Sequence, residues 1–173
     1  AFLVKDGIDG TSVEGAEDLP YGIENVQVEL HTTQVPVPTL WWRSVGHSHT
    51  AFVVESFLDE VAAATDQDPL ALRRTLLAGK DRHLGVLELA AAKAGWGRAL
   101  PAAPAQGLAV HFSFNSYVAM VVEASLVDGR PRVHEVTCAV DCGRTINPDT
   151  VQAQLEGAVG FALTTALHSA STL

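Results

Sequence analysis

Tyr117-Val118-Ala119-Met120-Val121-Val122-Glu123-Ala124-Ser125-Leu126-Val127-Asp128-Gly129-Arg130-Pro131-Arg132-Val133 is the stretch whose reading decides the fold. An Asp-Gly pair between two strand-like runs accepts the positive backbone angles of a tight hairpin turn. It predicts strands over Tyr117–Val127 and Arg132–Asp141, paired antiparallel, with a third strand-like run ahead of them over Gly107–Phe114. Upstream, the Ala- and Pro-rich stretch near 98–106 has no periodicity and reads as a connector.

Working outward, the N-terminal half is mostly helical. Thr50 is the expected cap of a helix whose Val54, Phe57, Leu58 and Val61 repeat at helical spacing. Asp68-Pro69 caps a second helix closed by Gly79, and a third spans Asp81 to Ala94 and ends at Gly95. Before these, Gly22 to Thr32 alternates, with Val26, Val28 and Leu30 opposite Gln27, Glu29 and His31, the pattern of a half-buried strand. Pro36 and Pro38 then impose an extended segment. At the other end Asn147-Pro148 caps a long helix expected to turn Val151, Leu155, Ala158, Val159, Ala162 and Leu163 inward. The expected class is α+β: an antiparallel or mixed sheet with helices packed on one face, residues 1–173 forming a single or partial domain.

Composition narrows the function. The chain has 173 residues, 47% of them hydrophobic, enough for a sizeable core. Eleven basic against twenty acidic residues give a formal charge of -9, which argues against nucleic acid or an anionic membrane as partner. No apolar run reaches the roughly 18 residues of a membrane span. Cys138 and Cys142 are too few for a disulfide framework and lack the second ligand pair of a zinc site, so small buried thiols are expected.

Chemistry is concentrated in Leu40-Trp41-Trp42-Arg43-Ser44-Val45-Gly46-His47-Ser48-His49-Thr50. Trp gives flat apolar walls, Arg a planar fork of donors for oxyanions, and Gly allows close backbone approach. Such parts suit a planar, partly anionic ligand, and a helix starting behind the loop would aim its free N–H groups and positive dipole end at it. Equally, the Trp residues can be packing anchors with Arg43 paired to a carboxylate. His47 and His49 could bind zinc or copper or serve the start of the helix. Asp141-Cys142-Gly143 ends a strand and opens a turn, either a functional address or a plain junction. A Ser-His hydrolase lacks both the Gly-x-Ser-x-Gly elbow and an orienting carboxylate.

Trp41 to Gly46 followed by Thr50 to Glu60, and Val140 to Asp149 leading into Gln154-Leu155-Glu156-Gly157-Ala158, resemble the molybdenum hydroxylases. This is the xanthine dehydrogenase and aldehyde oxidase family. The likeness is to its large molybdopterin-binding subunits, nearest the isoquinoline 1-oxidoreductase branch, and covers nearly the whole chain. His47-Ser48-His49 departs from the Gly-Pro-Gln-like continuation of the xanthine dehydrogenase branch.

The resemblance implies hydroxylation of an aldehyde or N-heterocyclic carbon with water-derived oxygen. It implies a molybdopterin-type molybdenum cofactor, in the cytosine dinucleotide form, and a small iron-sulfur partner subunit holding 2Fe-2S clusters. Arg43, Ser44, Val45 and Gly46 are expected at the cofactor, with Trp42 and Val45 walling a small aromatic or aldehyde substrate. The family's glutamate base belongs to a Gly-Glu-Pro-like motif beyond this sequence, so Glu156 is not that base and no catalytic residue is assigned. The Gly-Gln-Gly-type cofactor loop lies upstream of Ala1. The chain is therefore expected to be an incomplete C-terminal-half piece, inactive in isolation, with cytoplasm and periplasm both open as compartments. The competing expectation is a non-catalytic binding or assembly domain that retains the fold.

Overall fold

Asp128 and Gly129 make the turn required of them: both take positive φ, 51° and 73°, and the strands pair antiparallel outward from Val127 and Arg130. The computed structural model describes residues 4–100 and 104–170. In chain order it contains β1 (Val4–Lys5), β2 (Ile8–Asp9), a 3-10 turn at Gly10–Ser12, α1 (His47–Ala64), α2 (Pro69–Leu76) and α3 (Asp81–Ala94). β3 (Ala105–Ser113), β4 (Ser116–Val127), β5 (Arg130–Asp141) and α4 (Pro148–His168) follow. The middle of the expected connector, residues 101–103, lies outside the described residues.

The main sheet has the order β3-β4-β5, all antiparallel. A second tight turn, Phe114-Asn115 with φ of 46° and 59°, closes β3 onto β4. Leu108, Val110, Ala119, Val121 and Ala139 share one buried face, on which α3 lies through Val86, Leu87, Ala90 and Ala91. Leu58 of α1 and Leu70 and Leu77 at α2 extend this core. The α+β architecture with helices on one face is thus the one observed.

Local signals explain the helix ends. Asp68 accepts the Ala71 N–H at 2.8 Å, with Pro69 in the first turn. Asn147 accepts from Asp149 and Thr150 at 3.0 and 3.4 Å, and Gly95 takes the left-handed cap at φ 62°.

Five expectations are corrected. Gly22 to Thr32 forms no strand and pairs with none among the described residues, and Val26 and Val28 are exposed. Its polar side does align, Gln27 and His31 both contacting Glu29, but alternation makes a strand only where a sheet edge accepts its backbone. Thr50 is not the cap: α1 starts three residues earlier at His47, and the Thr50 hydroxyl lies inside the first turn, facing the Gly46 and Glu14 carbonyls at 3.0 and 2.5 Å. The inward face of α1 is Thr50, Glu55, Leu58 and Ala62, leaving Phe57 62% exposed. Finally, no described residue of α4 is fully buried: Val151, Leu155, Val159 and Leu163 are half-buried, whereas Ala158 and Ala162 are exposed. The expected buried thiols are likewise only half-buried.

Candidate functional site

The Trp loop is held at both ends by contacts distant in sequence. Val45 has φ 51°, a left-handed conformation unusual for a β-branched residue, and its N–H donates to the Trp42 carbonyl at 3.0 Å. Gly46 follows because nothing larger fits: a Cβ there would overlap the Thr11 carbonyl far inside van der Waals contact. The close approach that this glycine permits is therefore made by the chain itself. The Gly46 N–H donates to Glu14 Oε2 at 3.3 Å, so the anion expected at the start of α1 is an internal carboxylate. Among the described residues, the backbone amides of Arg43, Ser44 and His47 make no bond to another backbone group.

The loop has two sides. On one, Arg43 donates from Nη2 to Gln154 Oε1 of α4 at 3.1 Å, a neutral amide rather than the carboxylate expected for a structural pair. Trp42 packs edge-on against Phe161, also of α4, with ring centroids 5.2 Å apart. These contacts join residues more than a hundred positions apart, and neither Gln154 nor Phe161 was singled out as a contact of this loop. The other side opens as a cleft of about 500 Å³ lined by Thr11, Ser12, Leu40, Trp41, Trp42, Val45, Gly46, Ser48, His49 and Phe52. No Asp, Glu, Lys or Arg lines it. Ser44 Oγ and Ser48 Oγ bond each other at 2.8 Å.

The two imidazoles of the His-Ser-His motif go different ways. His49 Nε2 lies 3.2 Å from the Ser12 carbonyl, while His47 Nδ1 lies 2.9 Å from His111 Nε2 of β3. Burial, reinforced by His47, lowers the His111 pKa to about 4. Gly15 is pressed against this pair, and a Cβ on it would meet His47 Nδ1 and Thr50 Oγ1 at 2.8 Å.

Behind the loop is a polar hub that the sequence did not signal. Glu55 Oε2 accepts from Arg73 Nε at 3.0 Å and from the Val110 N–H at 2.9 Å, while Tyr21 donates its hydroxyl to Glu55 Oε1. Arg73 also donates to Asp59 Oδ1 at 2.6 Å and to the Glu55 carbonyl at 2.9 Å. Burial works against the Arg73 charge, but Glu55 and Asp59 outweigh it and raise its pKa. Tyr21 is pushed up by burial and by the Glu55 charge. Arg73 lies five residues after the Asp68 cap, and nothing in the sequence distinguishes it from an ordinary exposed helical arginine. At the far junction, Asp141 is held to about 2 by the bidentate Arg82, at 2.6 and 2.7 Å, and by the Gly143 N–H.

Over residues 58–172 the chain matches the family model described as a molybdopterin cofactor-binding domain. That span takes in the sheet, α2, α3 and α4, and starts after the Trp loop. The chain is similar to the isoquinoline 1-oxidoreductase subunit beta of Brevundimonas diminuta, with 30% identity over 152 residues covering 85% of this chain and 20% of that protein. It is similar also to a membrane-bound aldehyde dehydrogenase [pyrroloquinoline-quinone] of Gluconacetobacter polyoxogenes, with 33% identity over 150 residues covering 73% of this chain and 19% of that one. It thus spans about a fifth of the length of these curated relatives. No solved structure gives a significant match. With two thirds of its length matched by the model, the chain belongs to the molybdopterin cofactor-binding domain family.

Proposed function

We propose that this chain is one part of the cofactor-binding region of an oxidoreductase that hydroxylates an aldehyde or an N-heterocyclic aromatic with oxygen from water. The cofactor, a molybdopterin-type molybdenum group in its cytosine dinucleotide form, supplies the two-electron chemistry when bound. A small iron-sulfur subunit with 2Fe-2S clusters removes the electrons.

The residues present fit one edge of such a group. Arg43, held to α4 by a single bond to a neutral amide, keeps most of its five donors for an oxyanion. Ser44 adds a hydroxyl and a backbone N–H, Val45 forms a wall, and Gly46 lets the loop bend onto Thr11. Trp42 and Val45 face the cleft where substrate would lie. Val45 carries this reading: strain of roughly 1–2 kcal/mol in a β-branched residue persists where surrounding contacts fix it, commonly at binding sites.

Arg43→Ala in the protein purified from its natural reading frame is expected to lose most of its molybdenum; unchanged metal content would sink the assignment. One relative is named for pyrroloquinoline quinone, so metal analysis should be paired with a quinone redox stain, expected negative. The 173-residue chain by itself is expected to show neither turnover nor retained cofactor, since its matched share of the relatives supports reading it as one portion of a site. The alternative, a non-catalytic assembly domain, draws on the unburied α4 and predicts a natural protein without molybdenum.

A further inference from the structure

The structure assigns Trp41 and Phe52, two cleft-lining residues given no role above, as the specificity-determining walls of a cleft for a neutral, flat N-heteroaromatic ring. This deepens the proposed function and rests on it, because the cleft is a substrate site only if the loop belongs to an oxidoreductase.

The argument starts from charge. The loop divides its polar and apolar equipment between two sides, with Arg43 drawn to Gln154 on α4 and away from the cleft. No Asp, Glu, Lys or Arg side chain lines the cleft, and its one imidazole, His49, lies 3.2 Å from the Ser12 carbonyl. A carboxylate or phosphate entering it would lose water and meet no cation, a cost that a neutral molecule escapes.

Shape points the same way. Trp41 is 50% exposed, Trp42 51%, Phe52 72% and Leu40 88%, so large apolar surfaces stand around a volume suited to a small organic ligand. A flat ring covers such walls through stacked or edge contacts, each aromatic pair adding about 1 kcal/mol beyond the area buried. An aliphatic aldehyde gains the area but not the aromatic contacts.

Donors complete the match. Of the three indole N–H groups, only that of Trp96 has an acceptor among the described residues, Asp68 Oδ2 at 2.9 Å. Those of Trp41 and Trp42 remain available to the lone pair of a ring nitrogen, and the Ser48 hydroxyl, paired with Ser44, also lines the cleft.

The test is ligand-observed saturation-transfer NMR on the cofactor-free 173-residue chain with quinoline, quinoline-4-carboxylate and cyclohexanecarboxaldehyde. Quinoline is expected to bind about tenfold or more tighter than the other two. Trp41→Ala and Phe52→Ala should each weaken quinoline about tenfold, while Phe57→Ala, on the same helix but outside the cleft, should not. Equal binding of the carboxylate, or parental affinity in both cleft variants, overturns the proposal. If circular dichroism shows the free chain unfolded, the natural full-frame protein is compared by kcat/KM for quinoline over the aldehyde. The ratio should fall in Trp41→Ala and Phe52→Ala, and an unchanged ratio overturns the assignment. The first assay contains no metal, so failure of the cleft leaves the molybdenum analysis standing, and absence of molybdenum leaves the measured cleft binding standing.

Discussion

Arg73 and Arg43 show how differently one side chain is used in two regions of this molecule. Arg73 is wholly buried and donates to Glu55, Asp59 and two backbone carbonyls, tying α2 to α1. Through Glu55 the same hub reaches Tyr21 and the β3 backbone. Arg43 is exposed and makes one side-chain bond, to a neutral amide. A guanidinium with its donors consumed is architecture; one with donors to spare is free for the recognition role proposed for it. The surroundings agree, since the hub closes around its charges while the loop leaves its aromatic rings uncovered.

The largest expected effect tests that division directly. Arg73→Met leaves Glu55 buried without its cation and should cost about 3–5 kcal/mol in urea unfolding, whereas Arg43→Met should fall within about 0.5 kcal/mol. Similar losses for both would erase the contrast. Next is Gly46→Ala, where the overlap with Thr11 should cost about 2–3 kcal/mol and show that part of the Trp loop is architectural. A neutral result would mean that the Gly10–Ser12 turn is free to move away.

A pH series then tests the buried His111 imidazole that packs behind the start of α1. The folded-state pKa of His111, about 4, lies below its ordinary 6.5, so the unfolded chain takes the proton first. Its contribution is complete above pH 6.5, is lost as pH falls towards 4, and amounts to about 3 kcal/mol. His111→Gln should flatten that slope in unfolding measured across the window. Asp141, depressed to about 2 from 3.8, contributes in the same direction but only below pH 4, so the two groups are resolved.

The smallest effect is the most diagnostic of function. Val45→Gly relieves left-handed strain and adds chain entropy to the unfolded state, for a net gain of about 0.5 kcal/mol. Molybdenum retention by the natural protein should nevertheless fall. A variant that is both more stable and equally metallated would show that the strain serves no binding.

The parts legible in the sequence are those governed by neighbours in the chain. Asp128-Gly129, the Asp68 and Asn147 caps and the left-handed Gly95 each depend on a few adjacent residues, and each was placed correctly. The Trp loop could be singled out because its residue types are rare together. What escaped was every feature made by distant segments: Glu14 at the first amide of α1, Gln154 and Phe161 against the loop, and Glu55 turned inward. Periodicity put Phe57 on the inner face of α1, but Glu55 takes an inward position because Arg73, Tyr21 and the Val110 amide together satisfy its carboxylate.

By itself the sequence determined the helices, the hairpin and the family, because caps, turns and matched motifs are local and additive. Only the tertiary structure decided which side of the loop is polar and which apolar, why position 46 must be glycine, and that residues 22–32 stay unpaired. Each of these depends on what arrives from elsewhere in the chain: a carbonyl from Thr11, an amide from Gln154, or no strand to bond. No spacing within a segment encodes its partner's position, and here that position divides the charged side of the candidate site from the neutral one.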